Sequence, residues 1–177
     1  IANRSVALEG DLVRVMGTFA AQGELVGDSF SFMAAASAVL LEAGEEQGTA
    51  GRALRMMYAR LGGDISGART QVEEMLKVSL MQNGEMKSME NVLGTLAPKW
   101  RGMSGAQKQN VAQTIAGNRH YVRFIKLMEN YDRTMQLTTD GIEGFDSATE
   151  QATTALGRQV NKLRKTQNEV ETLKAMI

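Results

Sequence analysis

Apolar residues recur at steps of three and four along almost the whole chain, a period that suits an α-helix and not a strand. Leu8, Leu12, Val15, Met16 and Phe19 make one face of a first helix, which Gly23 and Gly27 interrupt. Asp28 or Ser29 supplies an N-cap for a second helix, carrying Phe30, Met33, Val39, Leu40 and Leu41 to a stop near Gly44. Thr49 caps a third, with Leu54, Met57, Tyr58 and Leu61 inward, and Gly62-Gly63 ends it. The pattern predicts a fourth helix over residues 64–83, with Val72, Met75, Leu76 and Leu80 inward and Gly84 as its stop. A fifth carries Met86, Met89, Val92, Leu93 and Leu96, and Pro98 limits it. Ser104 and Gln107 form a capping-box signature ahead of Val111, Ala112 and Ile115, with a stop at Gly117-Asn118. Tyr121, Phe124, Ile125, Met128 and Tyr131 form the strongest apolar stripe. No convincing alternating strand appears, so the expected fold class is all-α, a multi-helix domain of short helices followed by a long C-terminal helix.

Composition agrees with that reading. The chain has 12 Met, good helix formers that fill irregular gaps, against 1 Pro and only 5% aromatics. Its 18 Gly favour many short helices with glycine stops. The net charge is +0, which gives no electrostatic case for nucleic acid. Cysteine is absent, which removes disulfides and thiolate metal sites. No apolar run reaches the roughly 20 residues that span a bilayer. The chain opens at Ile1 with no signal-peptide pattern, and a start without Met reads as a segment of a longer protein.

Residues 1–138 read as one helical domain, residues 139–146 as a linker containing Gly141 and Gly144, and residues 147–177 as a long helix. Ser147 and Glu150 give that last helix a second capping box. Leu156, Val160, Leu163, Gln167, Val170 and Ile177 follow a spacing of four and three, with Lys174 as a mismatch. Two readings fit this seam. It is a short coiled coil in which Gln167 helps set register, or an amphipathic helix that folds back on its own domain.

Catalytic and metal-binding signatures are missing. His120 is the lone histidine, so a two-histidine metal pair is excluded and any Ser-His-Asp triad must use it. Its place beside Arg119 and Tyr121 at a helix start favours a capping or surface role. Glu45-Glu46 and Glu73-Glu74 are adjacent carboxylates that point to different sides of a helix. Ser29 and Ser66 sit in cap or turn contexts, and Gly62-Gly63-Asp64 lacks the Lys-Ser/Thr of a phosphate loop. Basic residues such as Arg158, Lys162, Arg164 and Lys165 mix with acids and read as a solvated face. Trp100, near Pro98, reads as a core anchor at a turn, with a partner contact left open. The methionines read as core, with a partner-docking role left open. No cofactor is expected.

Two segments resemble a known family. Residues 48–61, from Gly48, Thr49, Ala50, Gly51 and Arg52 through Ala53, Leu54 and Arg55, resemble a stretch of the TP901-type core region of phage tail tape-measure proteins. Residues 115–130 are similar to a later passage of the same region, with Gly117, Arg123, Phe124, Leu127, Met128 and Asn130 at its marked positions. Between them lie Asn83-Gly84-Glu85-Met86-Lys87, Trp100 and residues 104–109 in matching order, and Phe19 through Gly23 fit the approach to the first segment. The resemblance covers roughly residues 10–140. It implies a non-enzymatic protein of the phage tail lumen or tail tip, present in the host cytoplasm during assembly. Such a protein templates the tail tube and sets tail length. It docks on tail-tip or baseplate hub and tail-tube proteins, and assists genome ejection. The resemblance also implies a homo-oligomer, a trimer being favoured, and leaves contact with the host membrane open. The alternative is a helical interaction or signalling module with a self-associating tail, unrelated to phage. A cell-wall hydrolase is a third reading, which the lone His120 and the lack of a carboxylate constellation oppose.

Overall fold

A computed structural model describes residues 2–144 and a few helical positions between 158 and 175. Among the described residues are eight α-helices: α1 (Ala2–Leu25), α2 (Phe30–Glu42), α3 (Gln47–Gly62), α4 (Ala68–Leu76), α5 (Met89–Arg101), α6 (Gly105–Ala116), α7 (Tyr121–Glu129) and α8 (Tyr131–Gly144). One 3-10 turn (Ile65–Gly67) and a hairpin of two-residue strands, β1 (Met81–Gln82) and β2 (Glu85–Met86), complete the described fold. The all-α expectation holds. The seam residues Leu156, Val160, Leu163, Gln167, Val170 and Ile177 lie outside the described residues.

The helical faces read from the sequence close one core. Val15, Met16 and Phe19 of α1 are buried against α3, whose Leu54, Met57, Tyr58 and Leu61 are buried in turn. Val92, Leu93, Leu96 and Trp100 bring in α5, Val111 and Ile115 bring in α6, and Phe124, Leu127 and Met128 bring in α7. Removing this much apolar surface from water, at about 25 cal/mol per Å², drives assembly of helices most of which are too short to stand alone. Phe19 stacks on Tyr58 at 5.6 Å, and Trp100 meets Phe124 edge-on at 5.7 Å.

Four local expectations are corrected. The helix expected over residues 64–83 stops at Leu76, where Lys77 takes a left-handed conformation (φ 52°). Asn83 (φ 53°) and Gly84 (φ 81°) then form the two-residue turn of the β1–β2 hairpin. Met75, expected inward, is 40% exposed, whereas Leu80 is fully buried on the extended segment. The second correction concerns Pro98, which lies inside α5 on its exposed face instead of limiting it. Third, α3 starts before Thr49, at Gln47 with Glu46 as N-cap, and has no side-chain cap. Fourth, α8 runs through residues 139–144, where the composition suggests a linker. Thr138, buried where α8 packs on α2, bonds back to the Thr134 carbonyl at 2.8 Å, so tertiary packing carries the helix onward to Gly141.

The capping reading fares better. Ser29 Oγ accepts from Phe32 N–H at 3.1 Å, and both bonds of the Ser104–Gln107 capping box form.

Candidate functional site

Helix α3 has two faces. Gly51, Leu54, Tyr58 and Leu61 point inward, while Arg52, Arg55 and Met56 stay exposed. Steps of three and four along the outer face bring Arg52, Arg55, Met56, Ala59 and Arg60 into one stripe. Gly51 is what lets this helix lie against α1. A Cβ there would sit 2.8 Å from Thr18 Oγ1 and 3.1 Å from the Val15 carbonyl. Gly48, by contrast, is exposed, and only the Arg52 side chain lies near it.

The C-terminal end of α6 faces that stripe. Arg60 Nε donates to the Thr114 carbonyl at 3.0 Å, tying α3 to the last turn of α6. Gly117 then takes φ 74° and ψ 167°, a conformation essentially confined to glycine, and reverses the chain into residues 118–120. The result is a groove of about 600 Å³. One wall is α3; the other is Ala116, Gly117, Asn118, Arg119 and His120. The two segments that carry the family resemblance, distant in sequence, line this one groove. His120 is the N-cap of α7 without a side-chain bond, and its Nδ1 is buried with no partner among the described residues. Burial and the neighbouring Arg123, Arg52 and Arg119 hold its imidazole below the usual histidine range.

An ion cluster sits beside the groove. Glu45 accepts from Arg123 Nε at 2.8 Å and from Lys126 Nζ, and Lys126 also reaches the Ala43 carbonyl at 3.2 Å. Burial raises the Glu45 carboxyl, but the bonds from Lys126 and Arg123 outweigh it and leave the group below its ordinary value. Arg123 and Lys126 thereby fasten α7 to the loop after α2. The other marked positions of the second segment have packing roles: Phe124, Leu127 and Met128 are buried, and Asn130 is the C-cap of α7. Leu54 is buried likewise.

Asp28 holds a second buried node. It accepts from Tyr58 Oη at 2.7 Å and from the Met89 and Glu90 amides at 2.9 Å each. Of the two cap candidates for α2, Asp28 and Ser29, Ser29 is the one that caps it; Asp28 instead caps α5, sixty-one residues onward. Burial pushes its carboxyl up, against the pull of these three bonds.

Among the described residues, no cluster of three or more carboxylates and histidines could hold a metal ion. No helix among them is long and apolar enough to cross a membrane.

Among the described residues, the groove gathers four arginines and His120 beside apolar side chains. A family model described as "Phage-related minor tail protein" matches residues 1–117. The chain belongs to the phage-related minor tail protein family. Its role is structural, in the phage tail, among other tail components. The match takes in α1 through α6 and ends at Gly117, the residue that turns the chain at the groove. This membership sets aside the reading of a module unrelated to phage. No solved structure matches this minor tail protein.

Proposed function

We propose that this minor tail protein is a segment of a tail tape-measure protein, the helical part that docks on tail-tip or baseplate hub proteins and on the tail tube. In that role it helps template the tube, sets tail length and assists genome ejection without enzymatic activity. The observation that carries the reading is the convergence at one groove of residues 48–61 and 115–130, the two segments that resemble the tape-measure core region. Residues 156–177 supply the seam for self-association, with a trimer expected.

Light scattering tests this on the chain of residues 1–177, alone and with purified tail hub and distal tail proteins. A multimer that forms a complex with the hub supports it. A chain that remains monomeric and ignores every tail protein sinks it.

A further inference from the structure

The groove between α3 and the α6–α7 turn carries a chemistry of its own. Arg52, Arg55, Arg60 and Arg119 all line it, and no aspartate or glutamate does. Four arginines elsewhere are matched with acids, Arg69 with Asp64, Arg101 with Asp132, Arg123 with Glu45 and Arg133 with Glu42, whereas Arg14 donates to Gln47. The four groove arginines make no ion pair among the described residues. In a chain of net charge +0, this is a local concentration of positive charge that the described residues do not offset.

Three further features lie at the same place. His120, which lines the groove, has a buried Nδ1 with no partner among the described residues. Helix α7 starts there without a side-chain cap, so the positive end of its dipole is open. The floor is apolar, with Ala59 and Ala116 beneath and Met56 and Ile65 at 39% and 47% exposure. Ile65 is held out by a turn in which Asp64 (φ 47°), Ser66 (φ 57°) and Gly67 (φ 67°) are all left-handed. Asp64 is locked there by Thr70, whose hydroxyl donates to it at 2.7 Å.

We propose that this groove receives an acidic segment of a partner tail protein, with its carboxylates on the arginine rim and one apolar side chain on the Met56–Ile65 floor. Planar guanidinium groups suit carboxylates through paired N–H bonds, and buried arginine contacts are frequent energetic centres of interfaces. A duplex nucleic acid is convex and needs a broad basic face, whereas this concavity admits one or two side chains over an apolar floor. The inference rests on the docking role for its partner's identity and adds the contact chemistry.

The test is an NMR titration of the chain of residues 1–177, following the His120 ring and the arginine Nε signals. The probes are a peptide in which glutamates flank a leucine, its glutamine counterpart and a short DNA duplex. The glutamate peptide is expected to shift Arg55, Arg119 and His120 and to raise the His120 pKa toward its ordinary value. Arg55→Glu with Arg119→Glu is expected to weaken binding at least about tenfold, with an unchanged circular-dichroism spectrum. Both side chains are exposed, so the variant keeps its fold. Equal binding of the glutamine peptide, preference for DNA, or no shift at the groove overturns the proposal. So does self-association abolished by the same variant, which would assign the groove to a second copy. A variant that still binds the tail hub like the parent chain refutes the acidic groove while the docking role stands. Binding of the peptide by a chain that ignores the hub does the reverse.

Discussion

Tyr58, on α3, donates its hydroxyl hydrogen to Asp28, on the loop before α2, at 2.7 Å, and both groups are buried. The same carboxylate takes the Met89 and Glu90 amides, and Ser88 Oγ takes the Asn91 amide at 3.3 Å. The first free amides of α5 are thus satisfied by two caps, one local and one distant. Asp28→Ala leaves two buried donors and one part-buried donor without a partner and is expected to destabilise the fold by about 2–4 kcal/mol. Tyr58→Phe removes one bond of the three and is expected to cost about 1–2 kcal/mol. Urea unfolding measures both. The double variant should fall short of their sum, since both act on one node.

Why the sequence showed some of this and not the rest follows from range. The burial of Val15, Met16, Phe19, Leu54 and Leu61 and the Ser104–Gln107 box depend on neighbours three or four positions away, so the period and the cap signature expose them. Gly117 is legible as a stop for the same reason. Local signals offer Asp28 and Ser29 alike as the α2 cap, and only Ser29 takes it, because the partners of Asp28 come together only when α5 docks. The Asn83-Gly84 dipeptide is a hairpin signal, but strands of two residues carry no alternation to support it. The arginine groove is the least legible feature. Arg52, Arg55 and Arg60 look like a solvated helix face until Arg119 arrives across the α3–α6 contact.

The two motif glycines should respond oppositely to alanine. At Gly51 the new methyl group meets Thr18 and the backbone carbonyl of Val15, and backbone cannot step aside cheaply. Gly51→Ala is expected to cost about 1–3 kcal/mol by forcing α1 from α3. At Gly48 the nearest atom is the Arg52 guanidinium at 3.2 Å, the far end of a flexible exposed side chain. Gly48→Ala is expected to be neutral or to stabilise by up to about 0.5 kcal/mol through helix propensity. Paired thermal melts separate the outcomes, and equal effects at the two positions would refute the packing argument.

Gly117 tests backbone geometry alone. Nothing lies within 4 Å of a Cβ built there, so any penalty comes from its φ of 74° and ψ of 167°. Gly117→Ala is expected to lower stability by about 1–3 kcal/mol and to loosen the α6–α7 turn. Faster hydrogen exchange in residues 115–124, with the α1 core protected as before, is the expected signature. Unchanged exchange there would mean that the turn tolerates a side chain.

Acid should act on two carboxylates with opposite signs. The Glu45 pKa is depressed below its ordinary 4.5, so its stabilisation is present above that value and is lost as pH falls through the folded pKa. The Asp28 pKa is raised above its ordinary 3.8, so the folded state holds that proton more tightly. Protonating Asp28 therefore favours the fold as pH falls, and it opposes the loss at Glu45. Glu45→Gln is expected to cost about 1–2 kcal/mol at neutral pH, a figure kept low because Arg123 and Lys126 are about a third exposed. It should also flatten the decline in stability on acidification. Asp28→Asn removes the opposing group and should steepen that decline. Urea midpoints taken from neutral pH downward distinguish the two slopes, and a Glu45→Gln variant whose decline matches the parent chain would show that the Arg123–Glu45–Lys126 cluster does not govern acid stability.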